Sequence, residues 1–185
     1  MIANQLLAQP RCPLPLAKKF EGAGVYALYY QGPFGLYQAL SNRNHAGDDV
    51  PIYVGEAVPA GSRKGGVGWH IPPGAAIHKR LSDHVKSLEA AENLSIGDFY
   101  CRYLAVDDVW ISLGERMLIE MCSPIWNRVD GFGNHDPGKG RHKGKRPDWD
   151  VIHPGRAWAS RLEPGRDQAL IEAQIRSLLA KSIGA

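Results

Sequence analysis

The sequence predicts an α+β fold, a small three-stranded sheet flanked by helices, and three observations carry that expectation. Three short segments are rich in β-branched and aromatic residues. Two longer ones repeat apolar residues at helical spacing, and the two kinds follow one another as β, β, α, β, α. At 185 residues, 44% hydrophobic and 22% charged, the chain has the length for one well-buried core and little to spare for a second.

The first strand is read over 23–31 (AGVYALYYQ), apolar and aromatic between glycines. Residues 32–50, rich in Gly, Asn, Asp and Ser, read as a connector. The second strand is PIYVG at 51–55, with proline at its start, where a missing N–H is tolerated. Residues 56–74 hold five glycines and three prolines and form a loop longer than a compact domain normally keeps. A helix is expected over 75–92, where Ile77, Leu81, Val85 and Leu88 draw one apolar stripe. DFYCRYLA at 98–105 is the third strand. Asp107 or Asp108 then caps a helix that runs to about Cys122 and stops at Pro124. Residues 131–166 show little periodicity and read as an irregular basic region. Leu170, Ile171, Ile175, Leu178 and Leu179 mark a terminal helix.

No run of about 18 apolar residues occurs, which excludes a membrane-spanning helix. The stretch MIANQLLAQPRCP lacks a basic region followed by a long apolar one, so no secretory signal is expected. Cys12, Cys101 and Cys122 are scattered, make no CxxC pair, and read as free thiols of a reducing cytoplasm. The net charge of +3 conceals a partition. Residues 61–86 carry +4, 87–121 carry −5 and 131–166 carry +4, so two basic segments flank an acidic one.

Several residues break the apolar patterns. Glu115 falls in direction between Leu118 and Ile119, close to Ile111 and Cys122. A carboxylate inside an apolar stripe is costly unless something pairs with it or a cation binds it. A capping box with Ser112 and a structural ion pair are the alternatives at this point. Arg80 and His84, four apart, lie beside the stripe of the first helix and point into the crevice between helix and sheet. Tyr26 and Tyr53 occupy two neighbouring strands, where packing is the ordinary role of an aromatic ring. Asn127 follows the helix-ending proline in CSPIWN, a common turn position.

In this order the residues resemble a known family. GVY at 24–26 and YVG at 53–55 resemble the paired signature of the GIY-YIG nuclease superfamily, with two Ile-to-Val changes at apolar strand positions. A helix bearing Arg80 and His84, a second bearing Glu115, and a Pro-x-x-Asn ending in Asn127 follow as they do in that family. The resemblance covers about residues 22–128. It implies a GIY-YIG core with a mixed or antiparallel sheet, preceded by an arm (1–21), carrying inserted loops (32–50 and 56–74), and followed by a basic extension with a terminal helix (129–185), all as a single domain. Most members have tyrosine where this chain has His84, and most have shorter links. The histidine, the long glycine-rich insertions and the basic extension resemble the type II restriction endonuclease branch, within which the chain is most similar to enzymes that cut the palindrome CCGCGG.

What the resemblance implies is a metal-dependent endonuclease acting on double-stranded DNA. Glu115 holds one divalent cation, Mg²⁺ with Mn²⁺ able to substitute, and Arg80 contacts the scissile phosphate. Tyr26 and Tyr53 border the attacking water, His84 takes part in a proton relay with Tyr26, and Asn127 orients the site. Arg63, Lys64, Arg141, Lys143, Lys145 and Arg146 are the expected DNA contacts. A palindromic site implies a homodimer, with the 170–179 stripe or the N-terminal arm as interface, and restriction implies a cognate DNA methyltransferase as functional partner. A homing, repair or mobile-element nuclease of the same superfamily, or a catalytically silent DNA-binding module, are the competing readings. GAGVYAL is not followed by a helix, which argues against a dinucleotide fold. No Cys/His quartet accompanies Asn134 and His135 to make a zinc site.

Overall fold

The computed structural model describes residues 2–59, 72–138 and 144–183. Its middle layer is a sheet built from β1 (Cys12–Pro13), β2 (Gly24–Tyr30), β3 (Tyr53–Ala57) and β4 (Phe99–Ala105). The strands lie in the order β1-β4-β2-β3 and every pairing is antiparallel. The α+β expectation holds, with one strand more than the three expected. The added β1 is two residues of the N-terminal arm, too short to leave a periodic signal.

All seven residues of β2 are buried, because helices cover both faces of the sheet. Side chains alternate along a strand, so β2 feeds two cores. Tyr26, Leu28 and Tyr30 pack with Ile77, Leu81 and Leu88 of α3 (Ala76–Ala90), with Trp126 of α5 (Ile125–Arg128), and with Ile171 and Ile175 of α7 (Gln168–Ile183). Val25, Ala27 and Tyr29 pack on the other face with Ala3 and Leu6 of α1 (Ile2–Leu7) and Ile111 and Leu118 of α4 (Asp108–Cys122). This two-sided burial is why GVYALYY reads as an unbroken apolar run. The 170–179 stripe expected at a dimer interface is spent internally: Ile171, Ile175 and Leu179 are core, while Leu170 stays exposed.

The connector expected over 32–50 contains a helix, α2 (Gln38–Ala46), behind a 3₁₀ turn at Gly35–Tyr37. Its sequence, QALSNRNHA, has almost no apolar period, and tertiary hydrogen bonds hold it instead. Buried Asn44 donates from Nδ2 to Tyr30 O (2.9 Å) and Val50 O (3.0 Å), and its Oδ1 accepts from Val50 N (2.6 Å). A side chain that satisfies backbone groups on two other segments gives no periodic signal.

The irregular region expected over 131–166 also carries structure, a short α6 (Asp148–Ile152) and a 3₁₀ turn at Ala159–Arg161. Trp149, fully buried, and Ile152 join the first core. A polar chain fastens the region further. The Trp126 indole donates to Tyr37 Oη (2.9 Å), Tyr37 donates to His153 Nε2 (2.8 Å), and His153 Nδ1–H donates to Asn93 Oδ1 (2.8 Å). Asn93 Nδ2 in turn donates to Ile152 O (2.8 Å), which fixes the direction of every bond in the chain. Pro124 both ends α4 and opens α5, so Asn127 is brought back against β3. No helix among the described residues is long and apolar enough to cross a membrane.

Candidate active site

The two signature glycines are there because the backbone comes too close for a side chain. A methyl on Gly24 would run into the Leu104 carbonyl of the neighbouring strand. A methyl on Gly55 would overlap the Tyr26 hydroxyl and come within 2.6 Å of its Cζ and 3.0 Å of Tyr53 Cε1. Gly55 thus makes the space in which the Tyr26 phenol lies. Gly55→Ala is expected to displace that phenol and lower the single-turnover cleavage rate by about 10²-fold with the fold retained. A near wild-type rate would show that the hydroxyl position is unimportant.

Tyr26 Oη and His84 Nε2 are hydrogen-bonded at 2.7 Å, in a buried contact between β2 and α3. The Tyr53 ring lies 5.2 Å from His84 and 6.3 Å from Tyr26, centroid to centroid. Burial pushes both tyrosines above the ordinary phenol value; the Arg80 guanidinium beside them works in the opposite direction, and Glu115 adds to the rise. His84 departs from the expectation of an ordinary imidazole. It is only 1% exposed, and burial, assisted by Arg80, His135 and Arg156, pushes it down to about 3. A neutral ring is therefore in place at physiological pH, and its low affinity for a proton makes it a weak base.

The same holds for His153, also pushed down to about 3, by burial and then by Arg156. Unfolding releases both rings to titrate near 6.5, so between these values the unfolded chain binds two protons that the folded chain does not. Their contribution is fully present above the unfolded value and is lost as pH falls toward 3, at about 1.4 kcal/mol per pH unit per ring. Urea unfolding between about pH 6.5 and pH 5 should show this decline, and His153→Gln should halve its slope. A flat profile would contradict neutral burial.

Glu115 comes from α4, on the opposite face of the sheet, and reaches the cleft around β3, the edge strand. It is half-buried, at the border of the stripe formed by Ile111, Gly114 and Leu118 rather than in its middle. The capping-box alternative fails. Ser112 lies inside the helix, which starts at Asp108, and its Oγ donates to Glu56 (2.8 Å). Asp107 takes the cap position, with no side-chain capping bond. Asn127 bonds the edge of β3 twice, accepting from Val54 N and donating to Val54 O, both at 2.8 Å.

Tyr53, Arg80 and Glu115 border a cleft of about 1210 Å³ that Glu56 and His135 also line, with Lys19, Lys79 and Lys86 on its walls, while Tyr26 and His84 stay buried. Among the described residues no group of three or more His, Cys, Asp or Glu forms a cage for a metal. Two carboxylates, Glu56 and Glu115, share the cleft. Hard oxygen donors in that number fit a hydrated divalent cation such as Mg²⁺, which keeps several waters and needs one or two carboxylates.

Sequence reasoning passed over Glu56, Phe132 and Gly133, and weighed His135 only as part of a zinc site. Phe132 stacks on the His84 ring (4.7 Å, 15°) and meets Tyr53 edge-on (4.8 Å, 76°). Arg80 donates from Nη1 to His135 Nε2 (2.8 Å) and from Nη2 to Gly133 O (3.5 Å). Gly133 and His135 lie more than fifty positions from Arg80, a separation that no spacing announces.

Of the expected DNA contacts, Arg63, Lys64, Arg141 and Lys143 lie outside the described residues. Lys145 is exposed, while Arg146 donates to the chain's own Ala159 O and Ser160 O. The basic segment 131–166 also neutralises much of its own charge. Arg156 pairs with Asp150, Arg161 with Asp136 and Arg166 with Asp148. The surplus positive charge is thereby concentrated in residues 139–146.

A family model described as the Eco29kI GIY-YIG domain matches residues 18–179 of this chain. No curated protein matches it.

Proposed function

Because the chain belongs to the Eco29kI GIY-YIG family of type II restriction endonucleases, we propose that it hydrolyses double-stranded DNA at a short GC-rich palindrome, of which CCGCGG is the first to test. It is a GIY-YIG nuclease with DNA as its substrate; the site, the metal and the assembly are the proposal. The observation that carries it is the convergence of Tyr26, Tyr53, Arg80, His84 and Glu115 from both faces of the sheet on one end of the β3 edge.

In this reading Glu115 holds one divalent cation, Mg²⁺ or in its place Mn²⁺. A cation held by Glu115 would supply charge stabilisation to the phosphate oxygens and the leaving 3′-oxygen. Tyr26 takes the proton of the attacking water as it passes its own to His84 Nε2. The 2.7 Å bond between them supplies the path. Arg80 answers the charge that develops on the phosphate, where a guanidinium fork can donate twice. Tyr53 borders the water, and Asn127 holds β3, hence Tyr53, in position.

The chain acts as one domain, with the arm at 1–21, the core at 22–128 and the extension at 129–185. Arg63, Lys64, Arg141, Lys143 and Lys145 follow the phosphates, with Arg146 beside them. Two copies cut the two strands of a palindrome, a cognate methyltransferase protects the host sequence, and the setting is the cytoplasm. Incubating the protein with plasmid and Mg²⁺, then with EDTA, and mapping the ends tests this directly. Discrete fragments lost on chelation support it; metal-independent or absent cleavage overturns it.

A further inference from the structure

We propose that His135 is a positioning residue that holds the Arg80 guanidinium aimed into the cleft. The inference rests on the reading of Arg80 as the phosphate contact and deepens it. A guanidinium nitrogen can only donate, so in the 2.8 Å bond between Arg80 Nη1 and His135 Nε2 the imidazole must accept. Nε2 of His135 is therefore the acceptor nitrogen of this pair. Gly133 O takes the second terminal nitrogen of the same guanidinium at 3.5 Å.

The acceptors stand on a braced segment. Buried Arg156 donates to Gly131 O (3.0 Å) and Asn134 O (3.1 Å), bracketing the segment from behind. Phe132 is wedged among His84, Tyr53 and Trp126, with ring centroids 4.7, 4.8 and 4.5 Å away. Asn134 N closes a turn onto Gly131 O (3.0 Å). A long arginine side chain loses many rotamers when it is fixed, and a partner on a rigid wall removes that loss from the reaction itself. The extension thus supplies more than positive charge: its 131–135 segment forms a wall of the site and sets the direction of Arg80.

The test compares His135→Ala with His135→Gln, whose amide oxygen can still accept from the guanidinium. In single-turnover cleavage of a cognate duplex with Mg²⁺, His135→Ala should slow the chemical step by about 10–100-fold. The dissociation constant for the same duplex in EDTA should stay within about twofold, and His135→Gln should recover most of the rate. A wild-type rate in His135→Ala, no recovery in His135→Gln, or a loss confined to DNA affinity each overturns the inference. Arg80→Ala run alongside separates the two levels. If it cleaves normally, the reading of Arg80 fails; if it is inactive while His135→Ala is normal, this inference alone fails. ¹⁵N spectra of histidine-labelled protein give a readout apart from activity. Nε2 of His135 should resonate as an unprotonated acceptor and move in Arg80→Ala; a protonated Nε2 overturns the assignment.

Discussion

Replacing Glu115 by alanine is expected to abolish cleavage while leaving DNA binding largely intact. The carboxylate stands where Tyr53 and Arg80 border the cleft. A cation held at that position contributes several kcal/mol of transition-state charge stabilisation, so its loss corresponds to a fall of at least about 10³-fold in rate. Duplex binding measured without metal should be unchanged or tighter, because the substitution removes a negative charge facing the phosphates. Glu56→Gln is the informative companion. Glu56 is tied to Ser112 and lies on the same cleft, so an equal loss there would mean that two carboxylates hold the ion. Full activity in Glu115→Ala, read on supercoiled plasmid, would sink the scheme.

The largest stability effect is expected at Arg156. Its guanidinium lies between the rings of Trp149 and Trp158, each 4.7 Å from its Cζ, and donates to Asp150, Gly131 and Asn134 from a site only 5% exposed. Burial outweighs the arginine at Asp150, whose carboxyl is pushed above the usual carboxylate range. That is the mark of a pair which desolvation has made expensive and which neither partner can leave. Arg156→Met strands a buried carboxylate and removes the bonds to Gly131 O and Asn134 O, and should cost about 3–5 kcal/mol. For a chain of this size that lowers the melting temperature by roughly 6–20 °C. The double variant Asp150→Leu with Arg156→Met should recover part of the loss, since the stranded charge is gone. A single variant costing under about 1 kcal/mol would show the pair to be incidental.

Arg156 also shows where the sequence stops being legible. In the chain it is one more cation of a basic segment, and counting charges sends it to the DNA. In space it is buried, while its companions Arg161 and Arg166 pair with Asp136 and Asp148 at the surface. Strands and amphipathic helices were readable because burial on a sheet or helix face imposes a period. So was the set from Tyr26 to Asn127, because a family's order of motifs is a linear signal. Helix α2 was not, since the bonds of Asn44 sustain it in place of an apolar face. The depth of His84 was not either, because its proton affinity depends on Phe132, Arg80, His135 and Arg156, which only folding brings around it.

The two hydrogen bonds from Asn127 to Val54 have a consequence outside the chemistry. β3 ends the sheet, and an open strand edge invites a strand from another molecule to pair with it. A carboxamide that both donates and accepts imitates the rung such an intruder would form, and it fills that rung from within. The asparagine therefore closes that rung of the edge to strand pairing by another molecule.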